Sequence, residues 1–408
     1  MRFGSICSGV GFQEMAMKRC FGDKFESVFV SDVDRDAILS HAAIHTDFLE
    51  IKDNYNYPSD DTMWNFLENI NFPLHHKTFE FIGRKLKGDK LKDAYLSAKI
   101  TNNIGDFTKF DTKYLDDIDF LFASTPCQDF SVAGNQAGFD GVKGTLTHFL
   151  IKFMNELKCY DKLPEYFGFE NVKAIQNKKH IEGFSLFLEE LRKLGYNITY
   201  EVQNAKNYGV PQNRERIFVF GSLSSNIKMA KGFDVKIRLK DILEEEVDEK
   251  YYINKPFKLV NKKMVKAECY EEKFDQNKRV YGTDGYFQCL GAAERGTNKI
   301  LIEAMIDNGS SYVETNKILD KSGICNTLTT MQGGRREPKI LCESDYRIRK
   351  LTPLECWRLM GAADNDFYLA QKKCSNSQLY KQAGNGIVVD NLYYNFLKIK
   401  ELKYKEEI

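Results

Sequence analysis

Two kinds of pattern alternate through the first 222 residues: short apolar runs, and longer stretches with apolar positions three and four apart. "RFGSI" is a short apolar run, "CSGVG" a turn, and "FQEMAMKRCF" has helical spacing. "FESVFV" reads as a second strand, and "SDVDRDAILSHAAIH" starts another helix. This βαβα opening is the grammar of a doubly wound sheet. Residues 52–103 interrupt it with two helical stretches, "YPSDDTMWNFLENI", for which Ser59 is a candidate N-cap, and "KLKDAYLSAKI". Connections between sheet elements usually take about 2–6 residues, so this stretch is an insertion. The alternation resumes with "DDIDFLFAS", counted as the fourth strand, "PEYFGFE", the helix "FSLFLEELRKLG", and the strands "YNITYEVQNA" and "RIFVFGS". From about residue 222 the texture becomes polar, then loop-rich, with short strand-like pieces between "GTDG", "DNGSS" and "QGG". "TPLECWRLMG" and "QAGNGIVVDNLYYNFLKIK" return to the first style. The expected fold is α/β: a mostly parallel doubly wound sheet built from 1–221 and 378–408, plus a smaller, mainly β domain over 222–345. Residues 346–377 are expected to be a hinge between them.

Composition narrows the class without naming a function. At 408 residues the chain exceeds one comfortable core. Apolar residues make up 42% and charged residues 29%, as in a soluble globular protein. No apolar run approaches the roughly 18 residues of a membrane helix, and the start lacks a secretory signal. The ten cysteines include no C-x-x-C pair and no metal-like Cys/His spacing, so they read as reduced thiols in a cytosol, with no metal. A net charge of +1 neither suggests nor excludes nucleic acid, because a basic face can be local.

Candidate chemistry gathers at strand ends. Gly9 and Gly11 lie between the first strand and the first helix, where bare backbone lets a ligand approach a helix N-terminus. The third glycine of a dinucleotide fingerprint is replaced by Glu14. Asp32, at the end of the second strand, is placed to accept ribose hydroxyls, or else to cap the following helix. An imperfect glycine turn with a strand-end acid favours an adenosine ligand without pyrophosphate, which S-adenosylmethionine fits. "TPCQDFS" puts Cys127 after a proline just beyond an apolar run, either as a core thiol or as a nucleophile. Glu170 closes "YFGFENV", and Arg214 with Arg216 stand two apart at a strand start, hence on one face. Thiol, acid and guanidinium together suit a planar heterocycle that must be gripped and attacked.

In the order "CSGVG", "TPCQDFS", "FENV", "QNRER", "KLTPLECWRLMG" and "QAGNGIVV", the chain resembles the DNA cytosine-5 methyltransferases of bacterial type over most of its length. The resemblance implies a Rossmann-like S-adenosylmethionine-dependent domain and a target-recognition domain. It also implies transfer of a methyl group to carbon 5 of a flipped-out cytosine in a specific double-stranded DNA site. By similarity Cys127 is the nucleophile and Glu170 binds the amidine edge of the base, while Arg216 holds the base's carbonyl oxygen and Arg214 the catalytic acid. Cofactor contacts are implied for Cys7, Ser8, Gly9, Gly11, Asp32, Val33, Asp106, Phe107, Asn385 and Gly386. DNA contacts are implied for Gln128, Ser131, Thr327, Arg335 and Arg336. Two departures stand out: Cys7 replaces the family's usual phenylalanine, and Ala133 occupies the position where a serine can fill the gap left by the flipped base.

The glycines at 134, 138, 141 and 144 lead to the expectation that residues 128–145 form a mobile lid. The expected setting is a monomer in the cytoplasm of a bacterium, or encoded by a phage, associated with the nucleoid. It would act separately from any cognate restriction endonuclease and without a membrane. CpG-containing sites are weakly favoured. Two alternatives remain at this stage: a tRNA cytosine-5 methyltransferase on the same fold, and a catalytically silent DNA-binding protein.

Overall fold

The computed structural model describes residues 1–74, 81, 84–125, 146–178, 180–233, 236–253, 265–266, 279–280, 302–305, 317–331, 336–342 and 347–406. The chain begins β1 (Arg2–Ile6), α1 (Phe12–Phe21), β2 (Glu26–Ser31) and α2 (Arg35–His45). After α2 comes the short α3 (Phe48–Ile51), and the insertion contributes α4 (Asp60–Asn69) and α5 (Asp89–Ile100). The alternation then runs β3 (Phe120–Ala123), α6 (Leu146–Cys159), β4 (Tyr166–Val172), α7 (Ile181–Leu194), β5 (Asn197–Asn204), β6 (Gln212–Asn213) and β7 (Glu215–Ser222). The strand before Cys127 is therefore the third of the sheet, not the fourth.

These strands form one sheet in the order β2-β1-β3-β4-β7-β5. β2, β1, β3 and β4 pair in parallel, and β7 runs antiparallel to both its neighbours, β4 and β5. Helices cover both faces, which is why the strands read as almost unbroken apolar runs. Alternation still sorts the side chains. Phe120, Phe122, Phe218 and Phe220 enter one core with Phe12, Trp357 and Phe396. Leu121, Ala123, Phe167, Phe169, Ile217 and Val219 enter the other. Burying each such aromatic contributes about 2–3 kcal/mol before conformational entropy is counted.

The chain winds from β1 to β2 on one side and returns to β3 on the other, so a crevice opens between the carboxyl ends of β1 and β3. In register, Ile6 lies beside Ser31 and Ala123, and Ala123 beside Phe169. The residues that follow these positions, Cys7, Asp32, Ser124 and Glu170, therefore share one edge.

Beyond the sheet lie β8 (Val265–Lys266), β9 (Arg279–Val280), β10 (Ile302–Met305), β11 (Lys317–Leu319), β12 (Cys325–Asn326), β13 (Lys339–Cys342) and β14 (Arg347–Lys350). β8 pairs with β9, and β10-β11-β13-β14 form a small sheet, while β12 leaves it to pair with β6. The chain ends with α8 (Pro353–Arg358), α9 (Asp364–Gln371), α10 (Asn376–Asn385) and α11 (Val389–Glu406), the last packed along α1.

The segment expected as a hinge is built into the core. Thr352 and Glu355 form a capping box at α8. The buried Glu355 carboxylate takes two 2.8 Å hydrogen bonds from Arg349 of β14. Trp357 is fully buried, donates its ring N–H to Leu379 O, and meets Phe12 edge-on.

Candidate active site

The glycine turn is built as the ligand reading requires. Cys7, Gly9 and Gly11 have φ of 55°, 56° and 86°, which rolls the chain from β1 into α1. At Gly11 a side chain would also collide with His45, 2.3 Å from where a Cβ would stand. The two readings of Asp32 separate cleanly. Asp34, not Asp32, caps α2, accepting from the amides of Asp36 and Ala37. Asp32 instead accepts from Gly9 N and Asp34 N, each at 2.8 Å, tying the glycine turn to the end of β2. Burial and the neighbouring Asp34 push its carboxyl up to about 6.

Asp106 stands nearby. Its Oδ1 accepts from Thr108 N and Oγ1, and its Oδ2 from Asn71 Nδ2. The Cys7 thiol is pushed far above its ordinary value by burial and then by the charges of Asp32 and Asp106, so both acids face this turn. Ser8 is 3% exposed, and its hydroxyl has no partner among the described residues. An orphaned buried hydroxyl at a left-handed glycine turn, flanked by two carboxylates, fits an adenosyl ligand with ribose and amino donors. Gly386 closes the other side, because any side chain there would stand 2.0 Å from the Phe12 ring. Asn385 ends α10 next to it. Val33 offers its carbonyl to Leu74 N, so its backbone is held by the insertion. Phe107 is buried, with its ring edge-on to Phe153.

At the reactive edge Glu170 is buried, and Arg216 Nε stands 3.1 Å from its Oε1. The register explains the pairing: Arg216 lies opposite Val172, two residues from Glu170 and on the same face. Burial raises the Glu170 carboxyl above its ordinary value, although Arg216 and Arg214 pull it back. The following residue, Asn171, donates to Thr125 Oγ1 at 3.2 Å and so fixes the chain two residues before Cys127. Cys127, Gln128, Ser131, Ala133, Arg335 and the 128–145 lid lie outside the described residues.

Arg214 is buried and well anchored: its guanidinium donates to Leu328 O at 3.2 Å, Gly384 O at 3.1 Å and Gly386 O at 2.6 Å. Arg216 forms the ion pair with Glu170, and the charge of Arg214 also reaches that carboxyl. Thr327 is turned inward, its hydroxyl donating to Asn213 O, while Arg336 is exposed.

Residues not singled out in the sequence also build the site. Asn103 accepts from Asp32 N and Gly105 N and donates to Asp32 O, locking the β2 end. Gln212 donates to Leu359 O and accepts from Leu328 N. Asn103 opens "NIGDF" and Gln212 opens "QNRER", but only the folded partners reveal their use.

No group of described residues could hold a metal ion, and no described helix is long and apolar enough to cross a membrane. The family model of the C-5 cytosine-specific DNA methylases matches residues 62–401. A type II methyltransferase of Lactococcus lactis subsp. cremoris, M2.ScrFI, is 34% identical over 95% of this chain and 96% of its own. An orphan methyltransferase of Bacillus phage rho11s is 28% identical over 100% of this chain and 99% of its own. Among solved structures, the S. pombe Dnmt2 methyltransferase superposes with a TM-score of 0.57 at 16% identity, covering 99% of each chain. A prophage-encoded DNA modification methyltransferase of E. coli does so at 0.54 and 18%, again over 99% of each. Both share the fold. Joined to a glycine turn with its acids and a buried Glu170–Arg216 pair, the family match places the chain among the C-5 cytosine-specific DNA methylases.

Proposed function

We propose that this DNA cytosine-5 methyltransferase works through a transient covalent bond between Cys127 and ring carbon 6 of its target base. Carbon 5 of cytosine is too electron-poor to take a methyl group directly. Addition of the Cys127 thiolate at carbon 6 moves electron density to carbon 5. Glu170 shares its proton with ring nitrogen 3, which relieves the charge that addition places on the ring. Its raised affinity for protons keeps that proton available nearer neutrality than an ordinary glutamate would. Arg216 holds Glu170 in an ion pair through Nε and spends one donor on Glu215 O. A guanidinium has five, so it can still donate to the base's carbonyl oxygen. S-adenosylmethionine supplies the electrophilic methyl group. Loss of the proton at carbon 5 then restores the ring double bond and expels the thiolate.

Asp32, with its carboxylate fixed by two amides, is assigned to the ribose hydroxyls. The Cys7–Gly11 turn and Gly386 enclose the methionyl part, and Ser8 supplies a hydroxyl there. Arg214 is a positioning residue. It ties the strand that bears Arg216 to the 325–331 segment and to the α10 terminus. Recognition is assigned to 222–345, with Arg335 and Arg336 contacting DNA and Thr327 anchoring the segment. Gln128 and Ser131, directly after the nucleophile, are assigned to the flipped base's surroundings. The reading extends to a monomer acting on nucleoid DNA in a bacterial cytoplasm. A separately acting endonuclease is supported by the type II name of one relative.

The single observation behind the catalytic assignment is the buried Glu170–Arg216 pair on the edge where the Cys127 strand ends. Methyl incorporation into DNA and into tRNA from labelled S-adenosylmethionine tests it. The expected result is incorporation into DNA only, abolished by Glu170→Gln; unaltered turnover in that variant would overturn it.

A further inference from the structure

The insertion of residues 52–103 ends in the wall of the cofactor site. After α4, the turn Ile70–Leu74 reaches both acid-bearing segments. Leu74 N donates to Val33 O at 3.0 Å, and Asp106 N donates to Ile70 O at 3.1 Å. The second contact is so close that a side chain at Gly105 would lie 1.8 Å from Ile70 O. Between them Asn71, held at φ 52°, aims its side-chain amide at Asp106 Oδ2 at 3.2 Å.

The carboxylate of Asp106 is thereby fixed in one orientation. Its Oδ1 takes both Thr108 donors, which fills that oxygen. Oδ2 takes Asn71, lies 3.5 Å from the Lys109 ammonium, and keeps capacity for one more donor. An exocyclic amino group supplies that donor, and a ring carbonyl in the same place would meet a negative oxygen instead.

We propose that the insertion builds the purine end of the cofactor site, with Asn71 as the positioning residue that makes Asp106 selective for a 6-amino purine. This rests on the assignment of Asp106 to the adenine amino group. The insertion is thus part of cofactor recognition, and the turn 70–74 is its working end.

The test is calorimetric binding of S-adenosylhomocysteine and of S-inosylhomocysteine, whose 6-position is a carbonyl. Wild type and Asn71→Gly are compared, because glycine keeps the positive-φ backbone and removes only the side-chain amide. The proposal expects wild type to prefer the adenosyl ligand. In the variant, adenosyl affinity should fall about three- to tenfold, the ordinary net worth of one hydrogen bond, because the amide acts on the ligand only through Asp106, while inosyl affinity holds. The melting temperature should stay near wild type. Equal weakening of both ligands, or no change in either, would overturn the role of Asn71. Absence of any preference in wild type would remove the Asp106 assignment itself, and the proposal with it.

Discussion

Asp32 carries the clearest pH signature. Its carboxyl titrates at about 6 when folded and near 3.8 when unfolded, so between these values the folded protein holds a proton that the unfolded chain has lost. Its contribution to stability is therefore fully present below the lower value and is lost as pH rises through the upper one. Cofactor binding should reverse the preference, because ribose hydroxyls donate to the ionised form. Affinity for S-adenosylhomocysteine should rise between pH 5 and 7 with proton release near pH 6, and Asp32→Asn should flatten that dependence. Calorimetry in buffers of different ionisation enthalpy reads both. The two arginines give a second contrast. Arg216→Ala should abolish methyl transfer while sparing cofactor affinity. Arg214→Ala should weaken cofactor and DNA binding as well, since three carbonyls lose their donor; steady-state kinetics with separate binding titrations distinguish them. The strand-end positions of Glu170 and Asp32 were legible in the sequence because strand ends are where apolar runs stop. The carbonyl partners of Arg214 were not, because Leu328, Gly384 and Gly386 fold back from far along the chain.

Among elements, the main strands of the sheet and helices α1, α2, α4, α5 and α7 followed from their periods, α1 and α4 beginning where the turn glycine and Ser59 place them, whereas α6 was not singled out. The burial of the segment expected as a hinge, 346–377, was harder to read. Polar residues such as Arg349 and Glu355 read as surface when taken singly, yet they are buried because they satisfy each other. Glu355 also accepts from Thr352 N and Glu244 N, so α8, β14 and the start of the second region share one carboxylate. Replacing Arg349 with methionine should cost about 3–5 kcal/mol by leaving that carboxylate without its cation. Denaturant unfolding measures this, and the Arg349→Met/Glu355→Gln double variant should recover part of the loss. A loss below about 1 kcal/mol would mean that the pair is not what pins α8. Closer to the site, Gly384 lets α10 press on the 325–331 segment, for a Cβ there would stand 2.1 Å from Thr329 O. Gly384→Ala should therefore disturb cofactor and DNA binding together, although the residue is expected to touch neither ligand.

At the scale of the whole molecule, one edge of one sheet collects the functions. The β1 and β2 ends hold the cofactor turn and Asp32, the β3 end leads to Cys127, and β4 with β7 supplies Glu170 and Arg216. The insertion closes the edge at the cofactor side, and β12 reaches it from the second region by pairing with β6. The nucleophile assignment is central, and covalent trapping tests it most directly. The full chain is incubated with S-adenosylmethionine and duplex DNA in which 5-fluorocytosine replaces cytosine, so that the carbon-5 proton cannot leave. The account predicts a protein–DNA adduct stable to denaturation, mapped by peptide mass to Cys127 and absent in Cys127→Ala. No adduct, or one mapped to another residue, would contradict it.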